Sequence, residues 1–206
     1  MTKIKLCGLT KTCEIETANE LLPEYIGFVF APKSRGYLAP EHAAVLRETL
    51  HPDISAVGVF VDAPMETVAS LLRLGIIDMA QLHGNEDEAY ITKLRTLTDH
   101  RIIKAFRMDT RRDAIDAATS TADYVLLDSG GGTGRAFDWK LIPHITRPYF
   151  LAGGLGVDNV KAAVEQLAPY AVDVSSGIET DGRKDKTKMR EFVHAVRSAS
   201  RKEEKS

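Results

Sequence analysis

Lys3-Ile4-Lys5-Leu6-Cys7-Gly8-Leu9-Thr10-Lys11 decides the fold. The run from Lys3 to Cys7 alternates like a β-strand, stops at Cys7-Gly8, and gives way to helical spacing from Lys11. A thiol therefore stands at a strand's carboxyl end, with a glycine beside it. In parallel α/β proteins that end faces the ligand crevice, and glycine there admits close backbone approach. A buried cysteine is also a common small hydrophobe, so the motif alone leaves both readings open.

The unit recurs along the chain. Strands are expected at Lys3–Cys7, Tyr25–Phe30, Ala56–Val61, Met79–Leu82, Arg101–Ala105, Tyr124–Leu127, Tyr149–Ala152 and Val172–Ser175. Helical segments follow near Lys11–Leu22, Pro40–Leu50, Pro64–Leu74, Glu86–Thr98, Arg111–Ala118, Trp139–Ile142, Val157–Leu167 and Lys184–Ala199. Pro40 and Pro64 suit a first helical turn, and Asn85 is a natural cap before Glu86, Asp87 and Glu88. Strict alternation with continuously apolar strands implies a parallel sheet covered by helices. Eight such units in 206 residues match a closed (βα)8 TIM barrel. No linker-like stretch divides them, so a single domain over 1–206 is expected, with a polar end fraying from about 198.

Composition narrows the function. The chain is 44% apolar and 27% charged, with formal net charge −2. Its dispersed basic residues give no footprint for nucleic acid. No run approaches the ~20 apolar residues of a membrane span. A cytoplasmic protein with a small-molecule partner is the expectation. Cys7 and Cys13 lack the spacing of a redox or metal motif and read as reduced thiols. The 6 histidines show no close metal spacing, so no metal is expected.

In a barrel of this kind chemistry sits in the βα turns. Cys7 follows the first strand and Asp128 ends the sixth. Between them around the ring lie the turns after strands seven and eight, Ala152-Gly153-Gly154-Leu155 and Ser175-Ser176-Gly177-Ile178. This region often binds phosphate through backbone N–H groups, so Gly153, Gly154, Ser176 and Gly177 are candidate phosphate ligands. Directly after Asp128-Ser129 comes Gly130-Gly131-Gly132-Thr133-Gly134, too glycine-rich for a helix. It reads either as a plain flexible loop or as a mobile strip, Gly131 to Gly134, that closes over substrate.

These residues, in order and at matching spacing over nearly the whole chain, resemble phosphoribosylanthranilate isomerase. The resemblance is carried by Lys5-Leu6-Cys7-Gly8-Leu9-Thr10, Gly27-Phe28-Val29-Phe30, Val57-Gly58-Val59-Phe60-Val61, Gln81-Leu82-His83-Gly84 and Leu126-Leu127-Asp128. It continues through Gly131-Gly132-Thr133-Gly134 with Phe137-Asp138-Trp139, then Leu151-Ala152-Gly153-Gly154-Leu155 and Val172-Asp173-Val174-Ser175-Ser176-Gly177-Ile178-Glu179. It implies a cofactor-free Amadori rearrangement in tryptophan biosynthesis, by a monomer or homodimer. An acid protonates the furanose ring oxygen and a base removes the C2′ proton. The resemblance makes Asp128 the acid and Cys7 the base. Free Asp and Cys titrate near ~3.9 and ~8.5, so the site must tune both.

One departure stands out. The second βα loop reads Pro32-Lys33-Ser34-Arg35-Gly36-Tyr37, and the family's carboxylate-binding Arg aligns with Gly36. Arg35, one step earlier, is expected to take the anthranilate carboxylate, against the alternative of a solvated loop charge. His83 is a further candidate lining residue or a structural histidine. Asp173 orients substrate or anchors the strand. Trp139 and Phe137 read as packing anchors. Two other functions remain in view. One is a barrel that also isomerises the related histidine-pathway aminoaldose, although such enzymes place an Asp where this chain has Cys7. The other is a catalytically silent phosphate-binding barrel.

Overall fold

The computed structural model describes residues 1–128, 142 and 145–203. Eight parallel strands close into a barrel in chain order: β1 (Lys3–Cys7), β2 (Tyr25–Val29), β3 (Ser55–Phe60), β4 (Met79–Leu82), β5 (Arg101–Arg107), β6 (Tyr124–Asp128), β7 (Tyr149–Leu151) and β8 (Ala171–Val174). Closure comes from β1 pairing with β8, with Lys5 opposite Asp173. Helices α1 (Thr12–Leu21), α2 (Pro40–Thr49), α3 (Met65–Arg73), α4 (Glu88–Leu94), α5 (Arg111–Thr119), α6 (Val160–Leu167) and α7 (Lys186–Glu203) accompany the strands.

The strands are apolar on both faces because both are buried. Outward residues such as Ile4, Leu6, Ile26, Phe28, Val125 and Val172 form one core with the helices. Inward residues, among them Tyr25, Val57, Met79, Ile103, Tyr124, Leu126 and Phe150, fill the barrel. The barrel interior is thus a packed plug that leaves room for a ligand at one end.

The expected strands agree with the observed ones to within a residue or two, but other features differ: Pro64 caps α3 instead of entering its first turn, α4 ends at Leu94 instead of Thr98, and α6 begins at Val160 instead of Val157. Asp87, not Asn85, caps α4, its carboxylate accepting from Tyr90 N at 2.8 Å. Asn85 instead donates to Asp62, tying two βα turns together. The last helix begins at Lys186 rather than Lys184. Residues before it form a 3-10 turn (Ser176–Ile178) and a hairpin of β9 (Glu179–Thr180) and β10 (Arg183–Lys184). The polar end expected to fray from about 198 is helical to Glu203, because buried Ala199 and Ser200 anchor it and Ser200 Oγ accepts from Thr2 N at 3.2 Å. Ser129, Gly130, Gly131, Gly132, Thr133, Gly134, Phe137 and Trp139 lie outside the described residues, as does the Trp139–Ile142 helix apart from buried Ile142.

Candidate active site

A cavity of about 390 Å³ opens at the carboxyl end of the barrel. Cys7, Arg35, His83, Asp128, Gly153, Gly154, Asp173 and Ser176 all line it. Residues separated by as much as the length of the barrel sequence thus meet at one mouth.

Cys7 is the last residue of β1 and is buried. The chain leaves it through Gly8 at φ +79°, where Gly8 N and Leu9 N both donate to Gly27 O at 2.9 and 3.2 Å. This left-handed turn favours glycine and lets the strand end beside the cavity. Opposite Cys7 in β2 stands Gly27, and a Cβ there would lie 2.6 Å from Cys7 Sγ. The missing side chain makes the space the sulfur occupies. Burial pushes the Cys7 thiol upward, while the positive charge of Lys5 pulls against that and Asp173 reinforces it.

Lys5 sits two residues before Cys7 on the same strand face, wholly buried, with Nζ 2.9 Å from Asp173 Oδ1 on the paired strand. Burial alone would lower its pKa, but the Asp173 carboxylate and Cys7 more than offset this, and the net shift is upward. Lys5 therefore remains an ammonium inside the barrel. Asp173, which also lines the cavity, makes this pair through Oδ1.

Asp128 ends β6, and its Oδ2 lies 3.1 Å from His83 Nε2. On the other ring nitrogen, His83 Nδ1 meets Gln81 Nε2 at 2.8 Å. With the amide donating to Nδ1, it is Nε2 that carries the ring proton facing Asp128. Beneath it, Lys104 Nζ donates to Gly84 O at 2.7 Å and pairs with Glu86 at 3.3 Å, and Glu86 accepts from Gly84 N and Asp62 N. This buried cluster fixes the turn that presents His83.

The two glycine-rich turns adjoin. Gly153 and Gly154 have φ of +86° and +63°, and Asn159 fastens this turn by accepting from Gly156 N and donating to Gly154 O. Gly177 faces it so closely that a Cβ would fall 1.9 Å from Leu155 O. Only a residue without a side chain permits the approach.

Arg35 stands at the rim, its side chain 75% exposed, with Nη2 2.9 Å from Glu179 Oε2. The other carboxylate oxygen of Glu179 takes Lys184 Nζ at 2.7 Å, and Lys184 also donates to Ser175 O and Oγ. The hairpin thus links the Arg35 loop to the turn after β8. A side chain at Gly36 would meet nothing nearer than Ser34 Oγ at 3.9 Å and Gly8 Cα at 4.0 Å.

Sequence reasoning missed Lys5, Gln81, Asn159 and Lys184. Lys5 left a signal, since period-two alternation puts it on the same strand face as Cys7, two residues on. Lys184 left none, because the hairpin carrying it read as the start of a helix.

A closed parallel barrel with a thiol, a carboxylate–imidazole pair and paired glycine-rich turns around one carboxyl-end cavity defines a (βα)8-barrel enzyme of small-molecule metabolism. Comparison with known proteins makes the assignment specific. The family model described as N-(5'phosphoribosyl)anthranilate (PRA) isomerase matches residues 4–195. The N-(5'-phosphoribosyl)anthranilate isomerase of Lacticaseibacillus casei (strain BL23) is 43% identical over 197 residues, covering 96% of each chain. The crystal structure of phosphoribosyl anthranilate isomerase from Thermotoga maritima superposes with a TM-score of 0.87 at 33% identity, covering 96% of this chain and 100% of that one. A further structure of such an isomerase, bound to reduced 1-(o-carboxyphenylamino)-1-deoxyribulose 5-phosphate, gives 0.85 at 33% identity, with the same coverage of both chains. The chain belongs to the phosphoribosylanthranilate isomerase family.

Proposed function

We propose that this chain rearranges N-(5-phosphoribosyl)anthranilate to 1-(2-carboxyphenylamino)-1-deoxyribulose 5-phosphate, with Cys7 as general base and Asp128 as general acid. Family membership makes it an aldose–ketose isomerase of tryptophan biosynthesis. The observation that carries the residue assignment is that Cys7 and Asp128 open on one cavity, with the two glycine-rich turns also on its wall.

Asp128 protonates the furanose ring oxygen, and C1′–O cleavage opens the ring to a protonated Schiff base. The proton transferred is the one carried by the Asp128 carboxyl group, whose Oδ2 lies 3.1 Å from His83 Nε2. Cys7, as thiolate, removes the C2′ proton to give the enolamine, which tautomerises to the ketone. The substrate phosphate occupies backbone donors of Gly153, Gly154, Ser176 and Gly177, which anchors the reacting carbons between acid and base. Asp173 and His83 border the same space and orient the sugar. Arg35 takes the anthranilate carboxylate, exchanging its surface partner Glu179 for the ligand. No helix among the described residues is long and apolar enough to cross a membrane.

The purified protein, given phosphoribosylanthranilate generated in situ, is expected to form the ribulose product at an enzymatic rate. A rate indistinguishable from the uncatalysed reaction would refute the assignment. Turnover of the histidine-pathway aminoaldose by the same preparation would instead support the dual-substrate reading.

A further inference from the structure

Among the described residues, the barrel interior holds a deeply buried ion pair close under the cavity. Lys5 is fully buried and Asp173 nearly so, and they face each other across the β1–β8 pairing that closes the barrel. The apolar residues that fill the same barrel include Tyr25, Val57, Met79, Ile103, Leu126 and Phe150. A buried ion pair is a poor source of stability, since packed apolar residues of similar volume commonly do as well. Its location calls for another explanation.

The ammonium has three donors. Asp173 Oδ1 takes one at 2.9 Å, and the side chain of Cys7, two residues on and on the same strand face, is its other acidic neighbour. Asp173 in turn holds the buried ammonium inside the barrel, away from water. We propose that Lys5 is a positioning residue for Cys7, its immobilised ammonium stabilising the thiolate that acts as base. This rests on the reading of Cys7 as the base.

The remaining charges around Cys7 do not substitute for it. From β2 the sulfur faces Gly27, which has no side chain. Asp173 from β8 is negative and opposes ionisation. Lys184 from the hairpin favours it more weakly than Lys5 does and is shared with Glu179 and Ser175. Asp128 and His83 bond each other on the cavity wall, and Arg35 pairs with Glu179 at the rim. The attraction of Lys5 for the thiolate outweighs the repulsion from Asp173. The pair is neutral as a whole, yet it is oriented so that its positive end dominates at the sulfur.

This orientation yields opposite signs for two substitutions, which a merely structural pair would not. In a Cys13→Ser background Cys7 is the one thiol, and its ionisation is read by ultraviolet thiolate absorbance and by alkylation rate at fixed pH. Lys5→Met should move the titration midpoint up by about one unit or more, a roughly tenfold loss of thiolate at a given pH. Asp173→Asn should move it down. Because Lys5→Met leaves a buried carboxylate without its partner and can impair folding, Lys5→Met/Asp173→Asn provides a second route. It should also titrate higher than the parent, since the stronger of the two opposing influences has been removed. An unmoved midpoint in Lys5→Met or the double variant, or an upward shift in Asp173→Asn, would overturn the proposal. The kcat of Lys5→Met should fall in step with the thiolate while KM changes less. A shifted midpoint with unchanged kcat would leave the Lys5–Cys7 coupling standing and refute Cys7 as base.

Discussion

Gly27→Ala tests how finely the sulfur is placed. The added methyl would sit 2.6 Å from Cys7 Sγ and 3.1 Å from Cys7 Cα, whereas nonbonded carbon contacts are favourable only at about 3.5–4.0 Å. One or both strands must therefore give by about an ångström. The β-strand backbone resists, because Gly27 O also accepts from Gly8 N and Leu9 N and so fixes the turn after Cys7. The sulfur is the softer element and should swing away. Overpacking of this kind costs about 1–3 kcal/mol, which for a chain of this length lowers Tm by several degrees, with about 2–4 °C per kcal/mol. A displacement of about 1 Å in a reacting group costs up to ~100-fold in rate. The expected result is a folded protein with a modestly lower Tm, kcat down about 10- to 100-fold, and KM changed much less. Circular dichroism, a thermal scan and steady-state kinetics decide it. A variant with the Tm loss but parental kcat would refute the claim that Sγ position limits the reaction.

Four further outcomes are expected. Arg35→Ala should raise KM more than it lowers kcat, because the carboxylate changes little between ground and transition states. Restoring an Arg through Gly36→Arg in that variant should recover part of the loss, since position 36 has room for a side chain; unchanged kinetics in Arg35→Ala would exclude it as the carboxylate's partner. Gly177→Ala, whose Cβ would fall on Leu155 O, should force the two turns apart, raise KM several-fold and weaken competitive inhibition by inorganic phosphate to a similar degree; parental values for both would place the phosphate elsewhere. Because the folded state raises the Cys7 thiol, kcat/KM should still be climbing with pH above neutrality, and a plateau from pH ~6 upward would contradict this. Folding also raises Lys5, so the native state holds both protons more tightly than the unfolded chain; stability from Lys5 is whole below its unfolded value of 10.5 and lost as pH rises through the folded value. Denaturant midpoints should thus fall on the alkaline side, and less so in Lys5→Met/Asp173→Asn.

The fold was legible because each βα unit repeats a local rule: apolar runs of strand length, glycine or polar turns, and helical spacing. The end of β1 at Cys7 and of β6 at Asp128 could be read to within a residue, and barrel topology then brought them to one mouth. What escaped was non-local. The Lys5–Asp173 pair joins residues 168 apart in sequence and exists only because β8 returns to β1. The β9–β10 hairpin is two residues per strand, too short for periodicity to register, yet it supplies Lys184 and holds Arg35 through Glu179. Asn85 looked like a cap by residue type, but Asp87 won the position because Asp62 offered Asn85 a tertiary partner. Side chains whose roles are set by distant partners leave little trace in local patterns.

The central claim, that Cys7 and Asp128 divide base and acid work, is tested most directly by the kcat of Cys7→Ser on phosphoribosylanthranilate generated in situ. The folded variant keeps the shape at Sγ but carries a hydroxyl that scarcely ionises near neutrality. General base catalysis contributes about 10²- to 10⁴-fold, so kcat should fall by at least ~100-fold with little change in KM. A kcat within a few-fold of the parent protein would contradict the account.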